Sequence, residues 1–340
     1  GEIEHLNLSP MSLKVRVPLT QEVTLGRYEN LRMEFESDEI TEEELADVLE
    51  NVREENAILE PVDRVAAEGD ALSLFFVEAE VEGEVIVHEH DVEVVLDPAQ
   101  EFIVPGVIEE LIGLGAEDEK TFVLPLPEDL DAEDLAGKDA TFTVEVDQVY
   151  DRTLPDLDDA LASTVGNYET LDELKADLRQ EMQQYKERET RNEYRDALID
   201  ALIADAELHY PPLMVEEELD DILDNIEANV KQRQNLDWED FLMQAGMTED
   251  ELREQMRNQA VENVERSLIL AEFAEVTDVQ VSDEEVENEM KQTLLQMGIE
   301  DPALLQAFQV DSKAGQDTRS RLMGRKTLER LERLAQGLPM

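Results

Sequence analysis

Residues 102–114 read FIVPGVIEELIGL. An apolar run is broken by the Pro105-Gly106 corner and followed by a short stretch with helical spacing, rich in aliphatic side chains and poor in catalytic groups. Outward from this corner, residues 62–150 fall into short alternating runs: LSLFF at 72–76, VEVVL at 92–96, FVLPL at 122–126 and TFTVEV at 141–146. In the last of these Phe142, Val144 and Val146 point one way and polar residues the other, the pattern of a half-buried strand in an antiparallel sheet. Gly83, Pro105-Gly106, Gly113, Gly115 and Gly137 punctuate the runs. The expectation is a small domain of several strands with one short helix near Val107 to Leu114.

The flanks read differently. From Lys14 to Phe35 the text alternates (KVRVPL, EVTL, NLRMEF), which predicts extended strands with a turn at Gly26-Arg27. Thr41 and Glu44 then form a capping-box pattern, and Leu45, Val48, Leu49 and Val52 follow at helical spacing, predicting an amphipathic linker helix over 41–57 that ends near Pro61. After Leu154-Pro155 the pattern is almost wholly helical. Thr170 with Glu173, Thr248 with Glu251 and Ser282 with Glu285 are further capping boxes. One helix is predicted from Leu171 to about Ala206, with a waist, KERETRNE at 186–193, that is polar all round; such helices project or bridge. Tyr210-Pro211-Pro212 restarts the chain, and Leu219, Ile222, Leu223, Ile226 and Val230 form a stripe. Further helices are expected around 237–245, 248–275, 282–297 and 312–336. FESDEITEEELADVL at 35–49 echoes VQVSDEEVENEM at 279–290, as a structural repeat or as shared capping chemistry.

Composition excludes whole classes of function. The 340 residues contain no cysteine, so disulfides, thiol nucleophiles and cysteine-ligated metals are out. With 28 Lys+Arg against 87 Asp+Glu the net charge is −59, which opposes direct nucleic-acid binding because counterion release needs clustered cations. The charge reads as a strongly solvated, aggregation-resistant surface. No window is apolar enough to span a membrane. Glycine-rich phosphate loops, nucleophile elbows and dinucleotide fingerprints are missing from the text. His88-Glu89-His90-Asp91 would place two imidazoles on one face of a strand, but spacing supplies no third ligand, and the segment reads as an exposed edge or loop. Trp238, before Phe241 and Leu242, reads as a packed helix anchor. No cofactor and no metal are expected.

One reaction needs none of these groups. Rotation about an X-Pro bond faces a barrier of roughly 20 kcal/mol, mostly amide resonance, and a site that binds the twisted amide better than the planar one lowers it. Aliphatic and aromatic walls that strip water from the carbonyl suit that task.

At this point the residues carry a resemblance. GDALSLFF, the Gly83 hairpin, VEVVLDP, FIVPGVIEELIGL and then FVLPLPEDLDAEDLAGKDATFTVEVDQV resemble the FKBP-type peptidyl-prolyl isomerase domain of the bacterial trigger factor family. LPDLDDALAS at 154–163 is similar to the linker of that family, and TLDELKADLRQEM and YPPLMVEEELDDIL to its C-terminal helical domain; the resemblance covers essentially residues 15–336. It implies an α+β chain: an FKBP-like antiparallel sheet domain with one short helix, inserted into a mostly helical, elongated chaperone body. The implied division is 1–36, the end of an N-terminal domain with an extended linker; 37–61, the linker helix; 62–150, the isomerase domain; and 151–340, the helical chaperone domain with its arms. The implied partners are unfolded or nascent polypeptides in the cytoplasm, with a ribosome reached only through an N-terminal domain whose basic docking loop this sequence lacks. Together with the start at Gly1, that lack reads as a truncation.

By the same resemblance the prolyl pocket comprises Phe76, Ile86, Val104, Val107, Leu130 and Phe142, with Phe75 an alternative to Phe76 and Val85 to Ile86. Val107 stands where the family places an aromatic floor and Leu130 where it places a tyrosine that hydrogen-bonds substrate, so weak or negligible isomerase activity is expected. Met243, Met247, Met256, Met290 and Met297 are candidate client contacts or packing residues. Two other functions stay open: a true isomerase with a helical scaffold, and a non-ribosomal or periplasmic holdase.

Overall fold

The computed structural model describes residues 2–8, 11–16, 20–97, 104–128, 130, 135–234, 236–296, 298 and 310–339, the first two stretches and Gln234 as backbone only. Val17–Leu19, Phe102, Ile103 and Met297 of the sequence reading lie outside these residues. The strands are β1 (Glu2–Leu8), β2 (Met11–Arg16), β3 (Glu22–Thr24), β4 (Ile58–Pro61), β5 (Ala71–Val81), β6 (Glu84–Val95), β7 (Glu119–Pro125), β8 (Asp139–Thr153) and β9 (Glu207–His209). The helices are α1 (Glu42–Glu55), α2 (Val107–Leu111), α3 (Asp159–Val165), α4 (Leu171–Ala204), α5 (Pro212–Gln234), α6 (Trp238–Gln244), α7 (Glu249–Val276), α8 (Asp283–Gln296) and α9 (Lys313–Ala335). Two compact units result, one of Glu39–Gln184 and one of Gly1–Asp38 with Tyr185–Met340, the cut falling at the edge of the polar waist of α4.

In the first unit an antiparallel sheet runs β4-β8-β5-β6, and β7 also pairs with β8. Its core face buries Leu72, Leu74, Ala79, Val81, Phe142, Val144 and Val146 beneath Ile108 and Leu111 of α2, each large aliphatic contributing about 2 kcal/mol of transfer free energy. Among the described residues strand β6 pairs only with β5 and is an edge, blunted by Glu84, His88, Glu89, His90, Asp91 and Glu93. Helix α1 begins at the predicted Thr41–Glu44 capping box. It packs Leu45 and Leu49 against Ala162 of α3 and Leu174 of α4. The sequence reading carries that helical segment toward Pro61; instead α1 stops at Glu55, where Asn56 caps the Val52 carbonyl through backbone and side chain, and Ile58–Pro61 becomes a strand on β8. All four residues of β4 are exposed, so main-chain pairing with β8, not apolar periodicity, makes this strand.

In the second unit β1 pairs with β2 and β3 with β9, all antiparallel. NLRMEF at 30–35 is no strand: Leu31, Met33 and Phe35 are half-buried and the residues between them exposed, but the surface they lie on is helical. Met33 N–H donates to the Ala335 carbonyl at 3.2 Å and the Tyr194 hydroxyl to the Met33 carbonyl at 2.9 Å. One-sided packing on Leu198, Phe273 and Leu331 imposes the period of two without a ladder. At the expected turn, Arg27 N–H donates to the Asp205 carboxylate at 2.7 Å, and a Cβ on Gly26 would meet the Asp205 carbonyl oxygen at 2.1 Å. Val215 and Leu219 of α5 pack on Ala260, Val264 and Leu268 of α7. The echoed Ser-Asp-Glu segments differ in role: Ser282 caps α8 directly, whereas Ser37 precedes Thr41, the cap of α1, by a full turn of chain.

Candidate functional site

The Pro105-Gly106 corner is set by backbone conformation. Gly106 occupies φ 94 as the residue preceding α2, a region costly for L side chains, and an added Cβ would meet Leu124 Cδ2 at 3.2 Å. The turn delivers Val107 as the first residue of α2 and buries Ile108 and Leu111 on the sheet. The helix is tied down behind: Gly113 N–H donates to the Ala66 carbonyl at 2.8 Å, and Ala66 N–H to the Leu114 carbonyl at 2.7 Å. Facing it, Phe122 and Phe142 stack with centroids 5.5 Å apart and planes at 15°.

Five of the residues expected at a prolyl pocket come together here. Phe142 is buried in the cluster, and Ile86, Val104, Val107 and Leu130 are half-buried against it. Phe76 is elsewhere. Against β8 the register slips around Phe75, so that Leu74 faces Val146 but Phe76 faces Glu145; this bulge reverses which side chains reach the core. Leu72 and Leu74 before it, and Val77, Ala79 and Val81 after it, point inward, while Phe76 shares the outer face with Glu78. Phe75 is 51% exposed, and the alternative Val85 is also exposed, beyond the cluster that holds Ile86. Val77 is the inward residue that the resemblance leaves out. Its signal is in the text, where apolar positions change parity across Phe75-Phe76.

Chemically this face is aliphatic and aromatic, without an acid or base among the clustered residues. Lys120 Nζ lies 5.9 Å from the Phe122 ring centroid but is committed to Glu110, 2.8 Å from its carboxylate and 2.5 Å from its carbonyl. Neither the Val107 nor the Leu130 side chain carries a hydrogen-bond donor. The arrangement can desolvate and hold an apolar residue. At the far end of β5, Asp70 is buried and accepts from both Nη atoms of Arg64 and, at 2.8 Å, from Ala67 N–H; the Arg64 hydrogen bonds hold its carboxyl below the usual carboxylate range.

The second unit carries an apolar surface of another kind. Helix α6 buries no residue. Trp238 stacks on Phe241 at 5.5 Å, its indole N–H donates to Glu249 at 3.4 Å, and Met243 is 75% exposed. Trp238 therefore stacks within its own helix and reaches the first residue of α7, Glu249. The methionines divide: Met243 is open, Met247 half-buried, Met256 packed on the α5–α7 cluster and Met290 in the α8–α9 core. Among the described residues no helix is long and apolar enough to cross a membrane.

A family profile described as "Bacterial trigger factor protein (TF) C-terminus" matches residues 170–332. Trigger factor of Caldicellulosiruptor saccharolyticus is 34% identical over 278 residues, which cover 82% of this chain and 63% of that protein. Trigger factor of Shouchella clausii is 33% identical over 88% of this chain and 70% of its own, and that of Halothermothrix orenii 30% over 88% and 69%. A solved structure from work on substrate recognition by the trigger factor chaperone aligns at 22% identity with a TM-score of 0.47, over 92% of this chain and 72% of that one. The chain thus spans 63% of the length of the Caldicellulosiruptor relatives and about 70% of the other two. With a third or so of its residues identical to theirs across most of its length, this chain belongs to the bacterial trigger factor family.

Proposed function

We propose that this chain is a polypeptide-binding chaperone of the cytoplasm that holds unfolded or nascent chains, and that its sheet unit is an FKBP-type prolyl isomerase of low activity. The observation that carries the chaperone reading is α6, which buries no residue, holds Trp238, Phe241 and Leu242 only half-buried and leaves Met243 75% exposed; partly open apolar surface on so acidic a protein suits transient capture of unfolded segments. Family membership supports the same reading. The proposed prolyl-binding residues are Ile86, Val104, Val107, Leu130 and Phe142, with Val77 in the place expected for Phe76. Low activity follows from an aliphatic floor at Val107 and the missing hydroxyl at Leu130: one absent hydrogen bond to a strained carbonyl is worth about 1–3 kcal/mol, or tens to hundreds in rate.

Two assays on the full chain test this. Suppression of aggregation of a chemically unfolded client should persist when residues 62–150 are deleted and fall when Phe241 and Met243 are replaced by serine. Refolding of a proline-limited substrate should be accelerated only weakly. Acceleration equal to that of a trigger factor with the aromatic floor and tyrosine would overturn the low-activity reading, and loss of holding with the sheet unit would overturn the assignment to the helices.

A further inference from the structure

We propose that His88 and His90, on the outer face of edge strand β6, form a surface site for a divalent late transition metal ion, tightest for copper(II), with nickel(II) and zinc(II) weaker. Residues two apart on a strand share a face, and here the two imidazoles meet edge to face with centroids 4.9 Å apart. Each ring is held from behind. His88 Nδ1 lies 3.0 Å from Oε2 of Glu78, its cross-strand partner, and His90 Nδ1 lies 3.2 Å from the Phe75 carbonyl oxygen.

Those contacts fix the chemistry of the other nitrogen. A carboxylate and a carbonyl oxygen only accept, so both Nδ1 atoms carry the proton and donate, which leaves Nε2 of each ring as the atom available to a metal ion. A histidine whose Nδ1–H is held by a carboxylate or carbonyl, with Nε2 open, has the arrangement that orients imidazole ligands and raises their basicity. The same bulge that turns Phe76 outward brings the Phe75 carbonyl under His90 and the Phe75 ring to 5.9 Å from the His90 ring, walling one side of the pair. The His88 side chain is half exposed, so an ion can enter with its waters.

Among the described residues no group of three or more His, Cys, Asp or Glu side chains is placed to hold a metal, and Glu78 sits behind the His88 ring, away from Nε2. The site therefore offers two imidazoles and leaves the remaining positions to water. Two nitrogen ligands with open positions suit the tetragonal preference of copper(II), and the general affinity order places nickel(II) and zinc(II) below it.

The test titrates the full chain with copper(II), nickel(II) and zinc(II) chlorides by calorimetry at constant pH, with electron paramagnetic resonance of the copper sample. The expected result is one equivalent of copper(II) with nitrogen hyperfine structure. His88→Gln and His90→Gln should each weaken binding about tenfold or more, and Glu78→Gln within the 10–100-fold range typical of groups that orient ligands. His209→Gln should leave it unchanged; far-UV circular dichroism checks that every variant folds. Equal binding by the wild type and the double His88→Gln/His90→Gln variant, which would mark capture by surface carboxylates only, overturns the proposal, as does loss of binding in His209→Gln.

Discussion

Gly106 concentrates in one residue what decides the proposed prolyl face. Its φ of 94 costs an L residue about 1–2 kcal/mol, and the 3.2 Å approach of Leu124 to an added Cβ leaves the neighbour little room to yield. Gly106→Ala should therefore lower stability by about 2 kcal/mol, read as a shift of the urea midpoint at unchanged slope. The residues it presents set activity separately from stability: the double replacement Val107→Phe and Leu130→Tyr should raise acceleration of proline-limited refolding by about ten- to a hundredfold, and an unchanged rate would place the deficit elsewhere on this face. Residue identity at the corner is legible in the sequence because Pro-Gly leaves few backbone choices. The inward partner across from it is less so, since Phe76 is assigned by resemblance alone and the bulge at Phe75 turns it outward. Only the change of parity from Leu72 and Leu74 to Val77, Ala79 and Val81 betrays that bulge.

Elements were readable to the extent that their ends are written in local chemistry. Thr41, Thr248 and Ser282 each accept from the backbone N–H three residues on, and the matching glutamates return the bond to the cap, so these helices begin where the text places them. At Thr170 half of the box forms: Glu173 N–H donates to Thr170, while the Glu173 carboxylate takes the Glu169 N–H. Strand β4 and the run at 30–35 were misjudged because their partners, β8 and the α4–α7–α9 surface, are far away in sequence. Thr248→Ala should cost about 1 kcal/mol in unfolding free energy, the usual worth of a cap. The cap of α8 adds a pH dependence. Lys326 first, then the Ser282 backbone N–H, hold Glu285 at about 2 against an ordinary 4.5. A carboxylate whose pKa is depressed by folding stabilises the fold fully above its unfolded value and loses that contribution as pH falls through its folded one. Stability should thus decline between about pH 5 and pH 2, and Glu285→Gln should flatten that decline in acid unfolding curves. Asp70, depressed mainly by Arg64, acts with the same sign in the other unit, so the flattening is partial.

For the whole molecule the governing quantity is a net charge of −59. Cations are spent internally: Arg257 reaches Glu216 at 2.9 Å, Arg253 reaches Asp220 at 2.7 Å, and Arg325 clasps Glu289 through two bonds of 3.1 Å. Exposed pairs of this kind contribute little each, whereas the unpaired excess of carboxylates repels itself across each unit. Added salt screens both, with a Debye length near 10 Å at about 0.1 M and near 3 Å at about 1 M. Because the excess of like charge outweighs isolated pairs, the thermal midpoint should rise between these two concentrations. On the proposed function, capture of a basic client should move the opposite way, since its encounter with this acidic chain is favoured by the same field that destabilises the fold. Capture of a neutral apolar client through α6 should hold or strengthen, because salt removes no attraction there. Aggregation suppression measured with basic and neutral clients at both concentrations, beside thermal unfolding of the chaperone alone, separates the terms. If the basic client is held equally well at about 0.1 and 1 M salt while the midpoint rises, the acidic surface serves solubility and takes no part in choosing clients.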